Sequence, residues 1–263
     1  MQNTDGMKGL VMTSSNLFIT GCDKTTEWML PWFIHNFKKH NTTPLKIFDF
    51  GMTNDMKSNL RSMPKSSHAD RRMIVSMKDV QSKGWYKKPE AMYRASGMAE
   101  KVCWIDTDCH VLDNIDDIFD YTEPQKLGMV EDKPWTMRTG GKFHNSGVVV
   151  FEGTPPILDQ WRKKVAEEDR DIAVGMGDQE VLHSMMDSPL TRHIHITDVP
   201  NDCCFPITYG ESAVLQFLTT RSLLRTFSDW PGSSPSVLDC SQFSMSAMLV
   251  IVSTWNPEDL GLK

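Results

Sequence analysis

The chain has 263 residues, of which 40% are hydrophobic, 24% charged and 9% aromatic; this is the composition of a globular protein with a substantial core, not of a disordered or fibrous one. Its 34 acidic residues outnumber the 28 Lys and Arg, for a formal charge of -6, so no global basic field exists for a phosphate backbone and nucleic acid is not an expected partner. Six cysteines without a C-x-x-C pair read as reduced thiols. The opening MQNTDGMKGLVMTSSN lacks a basic start and a sustained apolar core, and the apolar run at residues 245–252 is far short of the roughly 18 to 20 residues that cross a bilayer. A cytoplasmic protein without a membrane span is the expectation.

In chain order, residues 17–20 (LFIT) form a short apolar run closed by Gly21, which predicts a buried first strand ending in a turn. Thr25 and Thr26 are candidate N-caps for a helix bearing Leu30, Phe33, Ile34 and Phe37 at helical spacing, with Pro31 expected to end or kink a helix begun too early. Strands are expected at residues 46–50, stopped by Gly51, at 73–75, and at 102–105 after a helix over 89–96. Further strands at 127–130 and 148–151 precede a helix with Ile157, Leu158, Trp161 and Val165 on one side, a helix over 178–186, and a strand-like stretch at 193–196 on which His193 and His195 share a face. Strand and helix alternate, which predicts right-handed crossovers and a Rossmann-like α/β fold: a mostly parallel, mixed sheet flanked by helices, with ligands beyond the carboxyl ends of the strands. Residues 211–263 are a different kind of sequence, with ten Ser and eight charged residues and a Ser, Pro and Gly cluster at 229–236 that reads as loop. The chain therefore divides into a main unit, 1–210, and an atypical Ser-rich tail.

The stretch KVCWIDTDCHVL runs an apolar strand into Asp106-Thr107-Asp108. Two carboxylates one residue apart at a strand end both reach one hard divalent cation if the chain turns there, and oxygen ligands suit Mg²⁺ or Mn²⁺, which would clamp a diphosphate. Asp169-Arg170-Asp171 has the same spacing but lies in the charged run EEDRD with no strand before it, and reads as solvated surface. Asn145-Ser146-Gly147 precedes an apolar strand, offering an amide for sugar hydroxyls and a glycine for close backbone approach, or simply a turn. Asp178-Gln179 opens a helix, where Asp178 on its own reads as an N-cap. The paired His193 and His195 lack a third spaced ligand, and His110 reads as a strand residue.

Taken together, the DTD after a strand, HNSGVVVF at residues 144–151 and GDQEVLH at 177–183 resemble the GT-A glycosyltransferases, most closely glycosyltransferase family 8 with its glycogenins and bacterial galactosyltransferases. The resemblance spans residues 16–199. It implies a GT-A fold and a metal-dependent transfer of a hexose from a nucleotide diphosphate sugar, a UDP-sugar by this likeness, to a carbohydrate or other acceptor hydroxyl, with the anomeric configuration retained. By the same likeness Asp106 and Asp108 hold Mn²⁺ or Mg²⁺. Asp178 binds donor sugar hydroxyls and Gln179 lies beneath the anomeric carbon. Thr20, Gly21 and Cys22 meet the nucleoside, Asp49 is a candidate base or ribose contact, and Lys88, with Lys87 as the alternative, reaches the donor sugar and phosphates. Thr107, Asn145, Ser146 and Gly147 complete the donor site. The sequence departs from the family in lacking a C-terminal H-x-x-G-x-x-K-P-W segment, and all eight histidines lie at or before His195. A non-catalytic nucleotide-sugar or glycan-binding protein is therefore the alternative. A sugar-phosphate nucleotidyltransferase is a weaker one, since MTSSNLFITGCDKTTEW has no Gly-rich, Arg-containing phosphate loop.

Overall fold

The computed structural model describes residues 15–63, 73–111, 113–168, 177–186 and 192–200. The Asp169-Arg170-Asp171 run, the adjacent Cys203 and Cys204, and the proposed tail from residue 211 lie outside these segments. The elements are β1 (Asn16–Asp23), α1 (Leu30–His40), β2 (Leu45–Gly51), α2 (Asn54–Ser62), β3 (Ile74–Ser76), α3 (Lys88–Ala95), β4 (Lys101–Ile105), β5 (Leu127–Glu131), α4 (Lys133–Thr139), β6 (His144–Glu152), α5 (Pro156–Glu168), α6 (Asp178–Met185), α7 (Arg192–His195) and β7 (Ile196–Val199). Seven strands make one sheet in the order β3-β2-β1-β4-β6-β5-β7. Strands β1 to β4 run parallel; β6 is antiparallel to β4 and to β5, and β7 returns parallel to β5. The mixed α/β sheet matches the expectation from the alternation of elements.

Because side chains alternate across a strand, β1 sends Leu17 and Ile19 to one face and Phe18 to the other, and β4 likewise divides Val102 and Trp104 from Cys103 and Ile105. Both faces are covered, so these strands read as unbroken apolar runs. Helices α3, α5 and α6 fill the first face with Ala91, Met92, Ile157, Leu158, Trp161, Val165 and Leu182; α1 fills the second with Leu30, Phe33, Ile34 and Phe37, the four residues expected from their spacing. Each such large side chain contributes about 1.5–3 kcal/mol by leaving water. Among the described residues no helix is long and apolar enough to cross a membrane.

Several boundaries differ from the sequence reading, each for a local reason. β1 does not stop at Gly21; its pairing with β2 runs on to Asp23. Pro31 starts α1 instead of ending it, since a first-turn residue needs no N–H donor, and a 3-10 turn, Glu27–Met29, leads in behind Thr26, whose side chain makes no capping bond. Asn145, Ser146 and Gly147 lie inside β6, not in a turn before it. Gly177 is the N-cap of α6, which leaves Asp178 as its first helical residue. His193 and His195 sit in the single turn α7, because pairing with β5 begins only at Ile196. His110 follows β4 instead of belonging to it. Helices α2 and α4 were not foreseen; they are set by caps, the Thr53 hydroxyl accepting from the Met56 N–H at 3.2 Å and the Asp132 carboxylate from the Trp135 N–H at 3.3 Å.

Gly21 shows how tightly β1 and β2 are fitted. A Cβ there would lie 2.6 Å from Phe50 Cζ and 3.0 Å from the Phe48 carbonyl oxygen. The ring can turn but the carbonyl cannot. Gly21→Ala should therefore destabilise the fold by about 1–3 kcal/mol, the usual cost of overpacking. Urea denaturation checks this: a midpoint equal to that of the parent chain would show that the strands part freely.

Candidate active site

A cavity of about 420 Å³ opens at the carboxyl ends of β1 and β4, where the sheet order changes direction and a ligand site is expected. Its lining draws on Gly21 and Cys22 of β1, Lys88 of α3, the Asp106-Thr107-Asp108 turn after β4, Asn145 to Gly147 of β6, and Asp178 and Gln179 of α6. With Lys88 present and its alternative Lys87 absent, all but two of the residues assigned to the metal and the donor line this one cavity.

The exceptions are Thr20 and Asp49. Thr20 is wholly buried within β1, and its hydroxyl has no hydrogen-bond partner. Asp49 is buried and already engaged: it accepts from the N–H groups of Gly51 and Met52 at 3.0 and 2.7 Å and pairs with Lys57 at 3.1 Å, closing the turn into α2. Neither lines this cavity, unlike the other residues assigned to the donor.

At the centre stands Lys88, the first residue of α3, with a side chain only 4% exposed. Its Nζ donates to Asp106 Oδ1 at 3.1 Å and to the Ser146 hydroxyl at 3.1 Å, lies 3.3 Å from Asp178 Oδ2, and sits 5.7 Å above the Trp104 ring centre. Burial alone would lower the lysine's pKa; the charges of Asp106 and Asp178 more than offset that and hold it raised, so Lys88 is a permanent cation. The Trp104 indole N–H donates to Asp106 Oδ1 at 2.6 Å, and the backbone N–H of Asp106 donates to the Gly147 carbonyl at 2.8 Å. Asp106 is held above the usual carboxylate range by burial and by Asp178, despite Lys88. Asp108 is pushed up to about 7 by burial and by the charge of Asp106. Two carboxylates that resist ionising together are a pair that gains from an added cation.

Ser146, Asn145, Asp178 and Gln179 interlock in the same way. Ser146 donates its hydroxyl to Asp178 Oδ2 at 3.1 Å and its backbone N–H to the Gln179 amide oxygen at 2.8 Å. The Asn145 amide oxygen accepts from the Gly147 N–H at 2.7 Å. The Trp161 indole N–H donates to the Asp178 carbonyl at 2.9 Å, fixing the first turn of α6 against α5. Cys22 lies on the wall, but burial, and then Glu27, Asp23 and Asp49, push its thiol up to about 12, which excludes a thiolate nucleophile.

Sequence reasoning missed three participants. Asp132 is buried, caps α4, and accepts from Asn145 Nδ2 at 3.5 Å and from Gln179, tying those two side chains together. Its position before a lysine and a proline carried no signal beyond that of a cap. Asp23 and Trp85 line the mouth; Trp85 is 61% exposed. Between them in space lies Gly84, at φ +50°, where a Cβ would stand 3.4 Å from the Asp23 carboxylate. A lone tryptophan between a glycine and a tyrosine gave no hint of this.

Behind the site, His183 of α6 stacks on Phe143 at 3.6 Å, and its Nε2 lies 3.0 Å from both backbone polar atoms of His144. Burial lowers its pKa to about 4, and burial does the same to His110, which packs on Trp32. Both imidazoles are neutral in the folded chain and protonate near 6.5 when it unfolds. Their depressed pKa values contribute stability that is complete above about 6.5 and is lost as pH falls towards 4, up to about 3 kcal/mol each. Denaturation followed from pH 7.5 to 4.5 should show this slope, and His110→Gln should flatten it; an identical slope in the variant would disprove the assignment.

No protein-family profile and no curated protein matches the chain. Solved structures do. The galactosyltransferase LgtC, in complex with donor and acceptor sugar analogues, superposes with a TM-score of 0.52 at 14% identity, over 92% of this chain and 98% of that one. The glycosyltransferase GlyE of Streptococcus pneumoniae TIGR4 gives 0.52 at 14% identity over 94% of this chain and 64% of its own, and in its apo form 0.51 at 13% identity over 72% and 46%. The chain thus spans only part of GlyE. At these identities the likeness is one of fold, and the fold is that of the GT-A glycosyltransferases.

Proposed function

We propose that a GT-A fold carrying this cavity transfers a hexose from a nucleotide diphosphate sugar, a UDP-sugar first of all, to an acceptor hydroxyl of a carbohydrate or another molecule, with retention at the anomeric carbon. The observation that carries the reading is the convergence, in one cavity, of a buried cation with carboxylates from two separate strand and helix ends: Lys88, Asp106 and Asp178. A core has no use for such a group of charges, since apolar side chains of the same volume would serve stability as well or better.

The donor set fits a hard divalent cation. Asp106 and Asp108 offer only carboxylate oxygens, from one turn, and both are strained in their charged forms. Two carboxylates leave most of such an ion's ligand positions open, and diphosphate oxygens and water are ligands of the matching kind. Bound there, Mn²⁺ or Mg²⁺ supplies positive charge that makes the nucleoside diphosphate a better leaving group.

The protein's own groups do the rest. Lys88 donates N–H to a phosphate oxygen and adds a second positive charge where the leaving group gains negative charge. Asp178, oriented by Ser146, accepts from sugar hydroxyls and fixes the ring. Gln179, held by the Ser146 N–H and Asp132, presents its amide at the reacting face. Asn145, tied back by Gly147, supplies a further polar contact to the sugar. Gly21 and Cys22 form the β1 side of the cavity, where the nucleoside would lie.

Two experiments test this. UDP and Mn²⁺ should each tighten the other's binding by the same factor, and Asp108→Asn should abolish that coupling. Calorimetry that finds equal UDP affinity with and without EDTA would overturn the metal-diphosphate reading. Separately, Gln179→Ala and Asp178→Asn should slow Mn²⁺-dependent hydrolysis of a UDP-sugar by about ten- to hundredfold, the worth of one charge-assisted contact, while UDP affinity changes far less. Turnover equal to that of the parent chain in both variants would move the sugar elsewhere.

A further inference from the structure

Lys88 occupies the space that a metal ion would share with Asp106, and this bears on the order of binding at the proposed donor site, on which the inference rests. Its ammonium lies 3.1 and 3.3 Å from the two oxygens of Asp106, so a single group spans that carboxylate. The Trp104 indole N–H takes Oδ1 as well, at 2.6 Å. The same ammonium is 3.3 Å from Asp178 Oδ2 and bonded to Ser146 at 3.1 Å. Asp108, the other carboxylate of the Asp106-Thr107-Asp108 turn, is not among its direct partners.

We propose that Lys88 is the internal counter-cation of the site: without nucleotide it saturates Asp106 and Asp178, so that a divalent ion alone binds weakly, and a diphosphate opens the metal site by drawing the ammonium onto its own oxygens. A divalent ion approaching Asp106 meets a fixed positive charge within a few ångströms, on the protein side of the carboxylate where solvent reaches least. A diphosphate removes that obstacle without stranding the lysine, because it replaces the carboxylate oxygens with phosphate oxygens. The four-carbon stem of lysine permits this exchange by rotation alone.

The test reads Mn²⁺ alone, with no nucleotide, by calorimetry and by loss of the electron paramagnetic resonance signal of the free aqua ion. Lys88→Met and Lys88→Gln should bind Mn²⁺ at least about tenfold more tightly than the parent chain. Lys88→Arg, which keeps the charge, should bind it no better than the parent, and adding Asp108→Asn to Lys88→Gln should remove the gain. The proposal is overturned if the neutral variants bind Mn²⁺ no more tightly than the parent, or if the gain survives Asp108→Asn. Should a neutral variant unfold, Mn²⁺ must restore its fold by taking the place of the lost ammonium; failure to do so in both variants also overturns the proposal. Because no nucleotide is present, this outcome is separate from the proposed function: UDP and Mn²⁺ can still bind together if Lys88 proves not to guard Asp106.

Discussion

A buried ammonium cannot be left uncompensated, and meeting that constraint organises the carboxyl edge of the sheet. Lys88 emerges at the start of α3, Asp106 at the end of β4, Ser146 near the start of β6 and Asp178 at the start of α6. Four separate elements must stop at the same place for the charges to meet. Removing one partner of such a buried group costs about 3–5 kcal/mol, comparable to a large core cavity, so the polar centre constrains the fold about as strongly as the apolar one.

The reversed strand makes this convergence geometrically simple. Because β6 is antiparallel to β4, with Ile105 opposite Val148, the beginning of β6 lies beside the end of β4. The Asp106 N–H then reaches the Gly147 carbonyl, and Ser146 falls between Lys88 and Asp178. A parallel β6 would have sent Asn145-Ser146-Gly147 to the opposite edge of the sheet. The polar head of β6 and the apolar remainder, Val148 to Phe151, thus serve two ends of one strand: ligand cavity and core.

Much of this could be read in the sequence because the signals were of the right kind. Unbroken apolar runs ending in Asp or Gly marked β1, β2 and β4, and helical spacing marked the inner faces of α1 and α5, since burial on one side leaves a period in the sequence. The motif residues that line the cavity were legible for a different reason, their order and likeness to a known family; charge and spacing alone left Asp178 a cap and Lys88 half of a surface pair. The partners of Asp49 could not be read because a carboxylate at a strand end can turn to solvent, to a ligand or to its own next turn, and only the three-dimensional path of the chain makes the Gly51 and Met52 N–H groups its partners. Asp132 and Trp85 stayed hidden because their importance lies in neighbours distant in sequence. The reversal of β6 carries no periodic signature at all.

The sequence separations within the central cluster have a consequence for how the chain is made. Lys88 finds Asp106 at a separation of 18 residues, but Ser146 only at 58, and Asp178 lies farther still. During synthesis from the N-terminus, the first parallel strands and α3 are complete long before β6 and α6 exist. Until then the lysine has a single acidic neighbour in place of two, and water must supply the remaining partners of its ammonium. The ion cluster can dehydrate only when the last of its contributors arrives, which makes its formation a late, cooperative event and ties competence for a ligand to completion of the sheet.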